Sequence, residues 1–187
     1  MPPKVKTTKD AIVSTAVEIV REQGAQALNA RAVAAVLGCS TQPIFSNFAT
    51  MEELRLAVAH EAGTLYDDYI RREVESGEYP PYKASGMAYI RFAKEEKELF
   101  KLLFMRDRAG EETPEEFVIG QPVEGILHTT TGLGGEVAKL FHLEMWAYVH
   151  GIATMYATGF LDLEWELVSR MLSDAYLGLR KQYGMEG

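Results

Sequence analysis

Between Asn29 and Phe48 the chain sets out small, uncharged side chains that form directed hydrogen bonds: Ser40, Thr41, Gln42, Ser46 and Asn47. Interleaved with them are Val33, Leu37, Ile44, Phe45 and Phe48, which can bury one shared face. Gly38 permits a tight turn, and Ala34, four residues earlier, is small enough for a second helix to approach the first closely. The chemistry on offer is recognition of base edges. Gln42 can pair bidentately with an adenine, and the Thr41 methyl can touch a thymine methyl. Two short helices of this kind suit a helix-turn-helix, whose second helix enters a major groove ~12 Å wide. They suit equally an ordinary helical hairpin with a solvated polar face, and the segment by itself leaves both readings open.

The C-terminal half offers a different chemistry. Phe92, Phe100, Phe104, Met105, Phe117, Trp146, Met155 and Tyr156 form an aromatic and methionine-rich set. Such a set is either plain core packing or the lining of a small-molecule cavity with a few polar anchors. Phe92, Phe104, Phe117, Trp146, His150 and Met155 are the candidate effector-pocket residues. Trp146 and His150 are four apart and share a helix face. His150 is a candidate anchor, with a hydrogen-bonded core histidine as the alternative. Catalysis finds little support. None of the four histidines has a glutamate three residues before it, so di-iron chemistry is excluded. There is no His-Glu-x-x-His, phosphate-binding glycine loop or nucleophile elbow. No catalytic residue, metal or cofactor is expected.

The elements that would position these groups are helices. Ile12, Val13, Ala16, Ile19 and Val20 give a stripe over about 9–23, started by Thr7 or Thr8 and stopped at Gly24. Asn29 caps a helix over Ala30–Leu37. Ser40 or Thr41 caps another over Gln42–Asn47, where Pro43 fits only the first turn. Thr50 caps a long helix to about Ser76, with Glu52 and Glu53 in its first turn. Further helices are predicted over about 82–94, 97–106, 123–131, 136–158 and 162–183, with a loop between Arg108 and Pro122 and no strand. The expected architecture is all-α: an N-terminal three-helix domain over 1–50 and a C-terminal helical bundle over 51–187. Val168, Met171, Leu172, Ala175 and Leu179 make a stripe on the last helix, and the preceding one carries small residues, Gly151 among them. These stripes are candidates for a two-subunit interface, unless both bury within one subunit.

The chain has 187 residues and a net charge of −8, unevenly spread. Residues 1–50 hold five basic and three acidic groups, a net of +2, and the rest a net of −10. A small basic head on an acidic body suits a polyanion-binding segment. The single Cys39 excludes an intrachain disulfide and a cysteine zinc site. The first residues, Met1-Pro2-Pro3-Lys4-Val5-Lys6, lack the apolar core of a secretory signal, and no run reaches the ~18 residues of a membrane span. The expectation is a soluble protein of the cytoplasm that makes no membrane contact.

Residues 8–58 resemble the DNA-binding domain of the TetR family of transcriptional regulators. The likeness lies in Thr8-Lys9, Ile12-Val13, Ala16 and Gly24, then Leu28-Asn29-Ala30-Arg31 with Val33-Ala34. It continues through Gly38-Cys39-Ser40, Ile44-Phe45-Ser46-Asn47-Phe48 and Glu52-Glu53-Leu54. Farther on, Tyr89-Ile90-Arg91-Phe92-Ala93, Leu99-Phe100, and Trp146 followed by His150-Gly151 resemble a C-terminal domain type of that family. The resemblance implies a helix-turn-helix in which Thr41 and Gln42 read bases. It implies DNA-backbone positions at Lys9, Arg31, Ser40, Phe45, Ser46 and Asn47. It further implies a C-terminal domain that dimerises and binds a small-molecule effector. Phe45 and Met51 depart from the family's pattern by lacking a hydroxyl and a charge. Lys4, Lys6 and Lys9 either compensate for these losses or form a solvated tail. The expected function is a repressor that binds a palindromic double-stranded DNA operator as a homodimer and is released by a hydrophobic effector. The alternative is a helical small-molecule-binding protein with no DNA role.

Overall fold

The structure, a computed structural model, describes residues 7–106 and 121–185. Among these there are nine α-helices and no strand: α1 Lys9–Gln23, α2 Ala30–Val36, α3 Gln42–Asn47, α4 Met51–Ser76, α5 Pro81–Glu95, α6 Lys97–Phe104, α7 Gln121–Thr131, α8 Gly135–Thr158 and α9 Trp165–Gln182. The predicted all-α class is the observed one. The chain divides into two compact units. The first runs to Leu65 and takes in Glu96–Arg106; the second holds Tyr66–Glu95 and the described residues from Gln121 onward. The division falls inside α4, whereas the boundary expected from sequence, at residue 50, falls at the start of that helix.

In the first unit local chemistry sets each helix end. Thr8, not Thr7, caps α1: its hydroxyl accepts from the Ala11 amide at 3.2 Å. The Asn29 carboxamide oxygen accepts from the amides of Arg31 and Ala32 at 3.1 and 3.0 Å, which starts α2. Gly38 turns the chain with φ +63°, a left-handed conformation that a residue with a Cβ disfavours. The predicted side-chain cap on α3 is absent. Thr41 holds the N-cap position with helical backbone angles, so its hydroxyl makes no cap bond. Pro43 lowers the need for one, because it has no amide proton to satisfy. At α4 the Thr50 hydroxyl accepts from the Glu53 amide, and the Glu53 carboxylate reaches back to the Ala49 amide at 2.6 Å. The core of this unit is Ile12, Ala16, Val20, Val33, Ile44, Phe48, Leu54, Val58, Leu99 and Phe100. Helix α6 closes it against α1, pinned by the Arg21 guanidinium on Glu96 at 2.7 Å.

The second unit is built on α5. Ala84, Met87, Ala88, Ile90, Phe92 and Ala93 are fully buried. Helices α7, α8 and α9 all pack on α5. Gly86 explains the closeness. A Cβ there would lie 3.1 Å from a Leu172 methyl and 3.5 Å from a Val149 methyl, tight enough that α9 and α8 would have to give. Helix α9 begins three residues later than predicted. Asp162 is held by Lys94 at 2.6 Å, and the Leu163 carbonyl accepts from the Tyr156 hydroxyl at 2.6 Å, which keeps 162–163 out of the helix. The predicted loop over 108–122 lies almost wholly outside the described residues. No described helix is long and apolar enough to cross a membrane.

Candidate functional site

The candidate recognition surface is α3. Ile44 and Phe48 point into the core, which turns Gln42, Phe45 and Ser46 outward. Ser40, Gln42 and Arg31 are exposed, and Thr41 is partly so. Two of the expected polar contacts are already engaged within the helix. The Ser46 hydroxyl donates to the Gln42 carbonyl at 2.9 Å, and the Asn47 amide nitrogen donates to the Pro43 carbonyl at 2.8 Å. Lys9 is exposed at the start of α1, with its ammonium 5.0 Å from the centre of the Phe48 ring, so α1 presents a cation beside the C-terminal end of α3. Lys4 and Lys6, the other candidate arm cations, lie outside the described residues.

In the second unit, α5 and α8 run parallel and share a ladder of tyrosine–histidine pairs. The Tyr82 hydroxyl meets His142 Nδ1 at 2.9 Å, and the Tyr89 hydroxyl meets His150 Nδ1 at 2.8 Å. The Trp146 indole stacks on His150, with ring centres 4.6 Å apart and planes within 17°. Sequence reasoning found Trp146 and His150 but missed Tyr82, Tyr89 and His142. The seven-residue spacing of the tyrosines and the eight-residue spacing of the histidines were the available signal. It reads as a ladder only once the two helices are known to be parallel neighbours.

Of the other expected pocket residues, Phe92 is linked to this group through Tyr66, whose ring centre lies 5.8 Å from that of Tyr89. Phe92 is buried against Tyr66 and Tyr69 at 5.5 and 5.3 Å between ring centres. Phe104 belongs to the first unit and packs on Phe100 at 5.1 Å. Met155 follows His150 by five residues, roughly 140° round the helix, and so takes a different face. Phe117 lies outside the described residues. Within the expected set, Trp146 and His150 stack directly on each other.

Burial holds the His150 imidazole below its ordinary value of 6.5. Between that value and the lower folded one, the unfolded chain binds more protons than the folded chain. The stability this represents is fully present above pH 6.5 and is lost as pH falls through the folded value. The melting temperature is therefore expected to fall on acidification below 6.5, and His150→Gln to fall less steeply over the same range. Equal slopes for the two proteins would show that another group carries the acid limb.

A third surface lies on the outer side of α8 and α9. Val137, Leu140, Leu143, Tyr148 and Leu177 are exposed, as are Gly151 and Gly178. An open groove of about 420 Å³ runs between the helices, lined by Glu144, Tyr148, Asp174, Ala175, Gly178 and Leu179. Two residues of the expected interface stripe prove to be internal. Val168 and Leu172 are buried within the subunit, with Leu172 turned onto α5 at Gly86. Met171, Ala175 and Leu179 are half-buried at the margin of the outer face. Among the described residues, no group of histidine, cysteine and acidic side chains could hold a metal ion.

A family model described as "Tetracyclin repressor-like, C-terminal domain" matches residues 82–175. Among solved structures, the chain is similar to a TetR-like transcriptional regulator from Rhodococcus sp. RHA1, with 15% identity, 98% of this chain and 99% of that one covered, and a TM-score of 0.67. It is similar to a protein of unknown function from the same organism, with 22% identity, 95% and 97% coverage, and a TM-score of 0.69. A TetR-family member from Streptomyces coelicolor A3 matches with 16% identity, 89% and 96% coverage, and a TM-score of 0.64. At these identities the likeness to the solved structures is one of fold. No curated protein matches the chain.

Proposed function

The chain belongs to the TetR family of transcriptional regulators, and from that premise we propose that it is a cytoplasmic repressor that binds a palindromic operator as a homodimer and is released by a small hydrophobic effector. The observation that carries the reading is the outward face of α3. A six-residue helix is held at both flanks by buried Ile44 and Phe48 and presents Gln42 to solvent, with Thr41 just before it. Thr41 and Gln42 are assigned to bases, and Lys9, Arg31 and Ser40 to the DNA backbone. The exposed outer face of α8 and α9 supports pairing with a second copy, through Leu140, Tyr148, Gly151, Met171, Ala175, Leu177 and Gly178. Two recognition helices about 34–36 Å apart then meet successive major grooves. Helix α4 runs from one compact unit into the other, which makes it the natural lever between effector and DNA. Whatever factor the effector takes from DNA affinity, DNA takes from effector affinity.

Titration of a labelled random duplex, followed by fluorescence anisotropy at rising salt, tests the reading. A repressor shows binding that weakens as salt rises. A helical small-molecule carrier without a DNA role shows none. The dimer has its own test. Leu177 is 57% exposed in the single subunit, so Leu177→Arg leaves folding intact but places an unpaired charge in the proposed apolar contact. Sedimentation is expected to show weaker self-association, and more so for Leu177→Glu, whose charge adds to those of Asp174, three residues earlier, and Glu144 in the adjoining groove. An unchanged assembly state would put the interface elsewhere.

A further inference from the structure

The chemistry left available on α3 is narrower than its sequence suggests. The Ser46 hydroxyl proton is committed to the Gln42 carbonyl, and Asn47 is tied to the Pro43 carbonyl. Ile44 and Phe48 are buried at 0% and 1% exposure. What remains on the outward face is the Gln42 carboxamide and, three residues later on the same side, the Phe45 ring at 49% exposure. About half of that ring is left in solvent in the free protein, and it has no hydrogen to donate to a phosphate. Covering the rest needs an apolar or stacking contact. In the major groove the distinctive apolar group is the thymine 5-methyl.

We propose that Phe45 is a specificity-determining residue that reads a thymine through its 5-methyl group, close to the base read by Gln42. This rests on the DNA-binding reading above. It moves Phe45 from backbone contact to base readout. It also predicts that the half-site contains a thymine whose loss of a methyl is felt as strongly as a small base change.

The test uses the full-length protein and the duplex recovered by selection from random DNA. Each thymine is replaced in turn by deoxyuridine, which removes the methyl and leaves base pairing intact. Wild type is expected to lose about fourfold in affinity per half-site at one thymine, the worth of one buried methyl group. Phe45→Ala is expected to bind the thymine and uracil duplexes equally, with only a small fall in melting temperature because half of the ring is already in solvent. Thr41→Ser, which removes the competing methyl on that helix, is expected to keep the wild-type penalty. The proposal is overturned if wild type tolerates deoxyuridine everywhere while still binding its site. It is also overturned if the penalty survives in Phe45→Ala, and its disappearance in Thr41→Ser would assign the methyl contact to Thr41 instead. A third contrary result is Phe45→Ala weakening all sequences alike and flattening the salt dependence, as a backbone contact would. Failure of wild type to bind any duplex would overturn the DNA reading itself, and this assignment with it.

Discussion

Phe48→Ala is expected to destabilise the first compact unit by about 3–5 kcal/mol and to remove operator binding with it. The ring is 1% exposed and closes α3, with its own amide bonded to the Ile44 carbonyl at 2.9 Å. Removing it takes away the transfer free energy of the ring and leaves a cavity in the core of that unit. Helix α3 has six residues, far below the length at which a helix stands alone, so packing is what orients it. A loss of this size is a large part of the stability of an ordinary domain. The comparison that isolates the effect is Phe45→Ala, three residues away. That ring is half out in solvent, and its removal is expected to cost roughly 1 kcal/mol, well short of the loss at Phe48. Urea unfolding of the two variants reads the contrast. Similar midpoints would mean that the inward and outward faces of α3 have been assigned wrongly.

The second large effect separates reading from holding. Gln42→Ala is expected to weaken binding to the preferred site by ~1–3 kcal/mol and to relax preference at one base pair per half-site. Arg31→Ala is expected to weaken all sequences about equally and to flatten the salt slope by roughly one phosphate per subunit. The difference follows from chemistry and position. Gln42 opens α3 and carries a planar amide with a donor and an acceptor in fixed relation, while Arg31 sits exposed in the first turn of α2 and supplies charge. Affinity for the preferred and a scrambled duplex at several salt concentrations decides it. An unchanged sequence preference in Gln42→Ala, or an unchanged slope in Arg31→Ala, would contradict the assignment. Because Phe45 and Met51 bring neither hydroxyl nor charge, the wild-type slope itself is expected to be shallow.

The helices were legible because their ends obey local rules. Thr8, Asn29 and Thr50 accept amide bonds from the turn that follows them, and Gly24 and Gly38 take positive φ values. Helix α3 was legible for the same reason: Pro43 marks its first turn, and Ile44 and Phe48, four apart, fix its inward side. What stayed hidden depends on which distant element covers a stripe. The 168–179 stripe of α9 reads as apolar from its sequence, yet only the packing of α9 on α5 at Gly86 shows that Val168 and Leu172 face inward. Phe104 read as one of the pocket set, and only the packing of α6 on α1 shows that it belongs to the first unit. The Tyr82–His142 and Tyr89–His150 bonds span about sixty residues of sequence and need two parallel helices before either spacing carries meaning. The missing side-chain cap at Thr41 is a subtler case: the residue type suits a cap, but its backbone is already helical.

The central claim is that two copies of α3 read the two halves of one palindrome. Selection of bound sequences from random double-stranded DNA by the wild-type protein tests it most directly. The account predicts enrichment of an inverted repeat with half-site centres about one helical turn, ~10 base pairs, or a whole multiple of it apart. It also predicts an adenine for Gln42 and a thymine for Phe45 within each half. Recovery of a pool no different from the input, or of a single site without inverted symmetry, would contradict it.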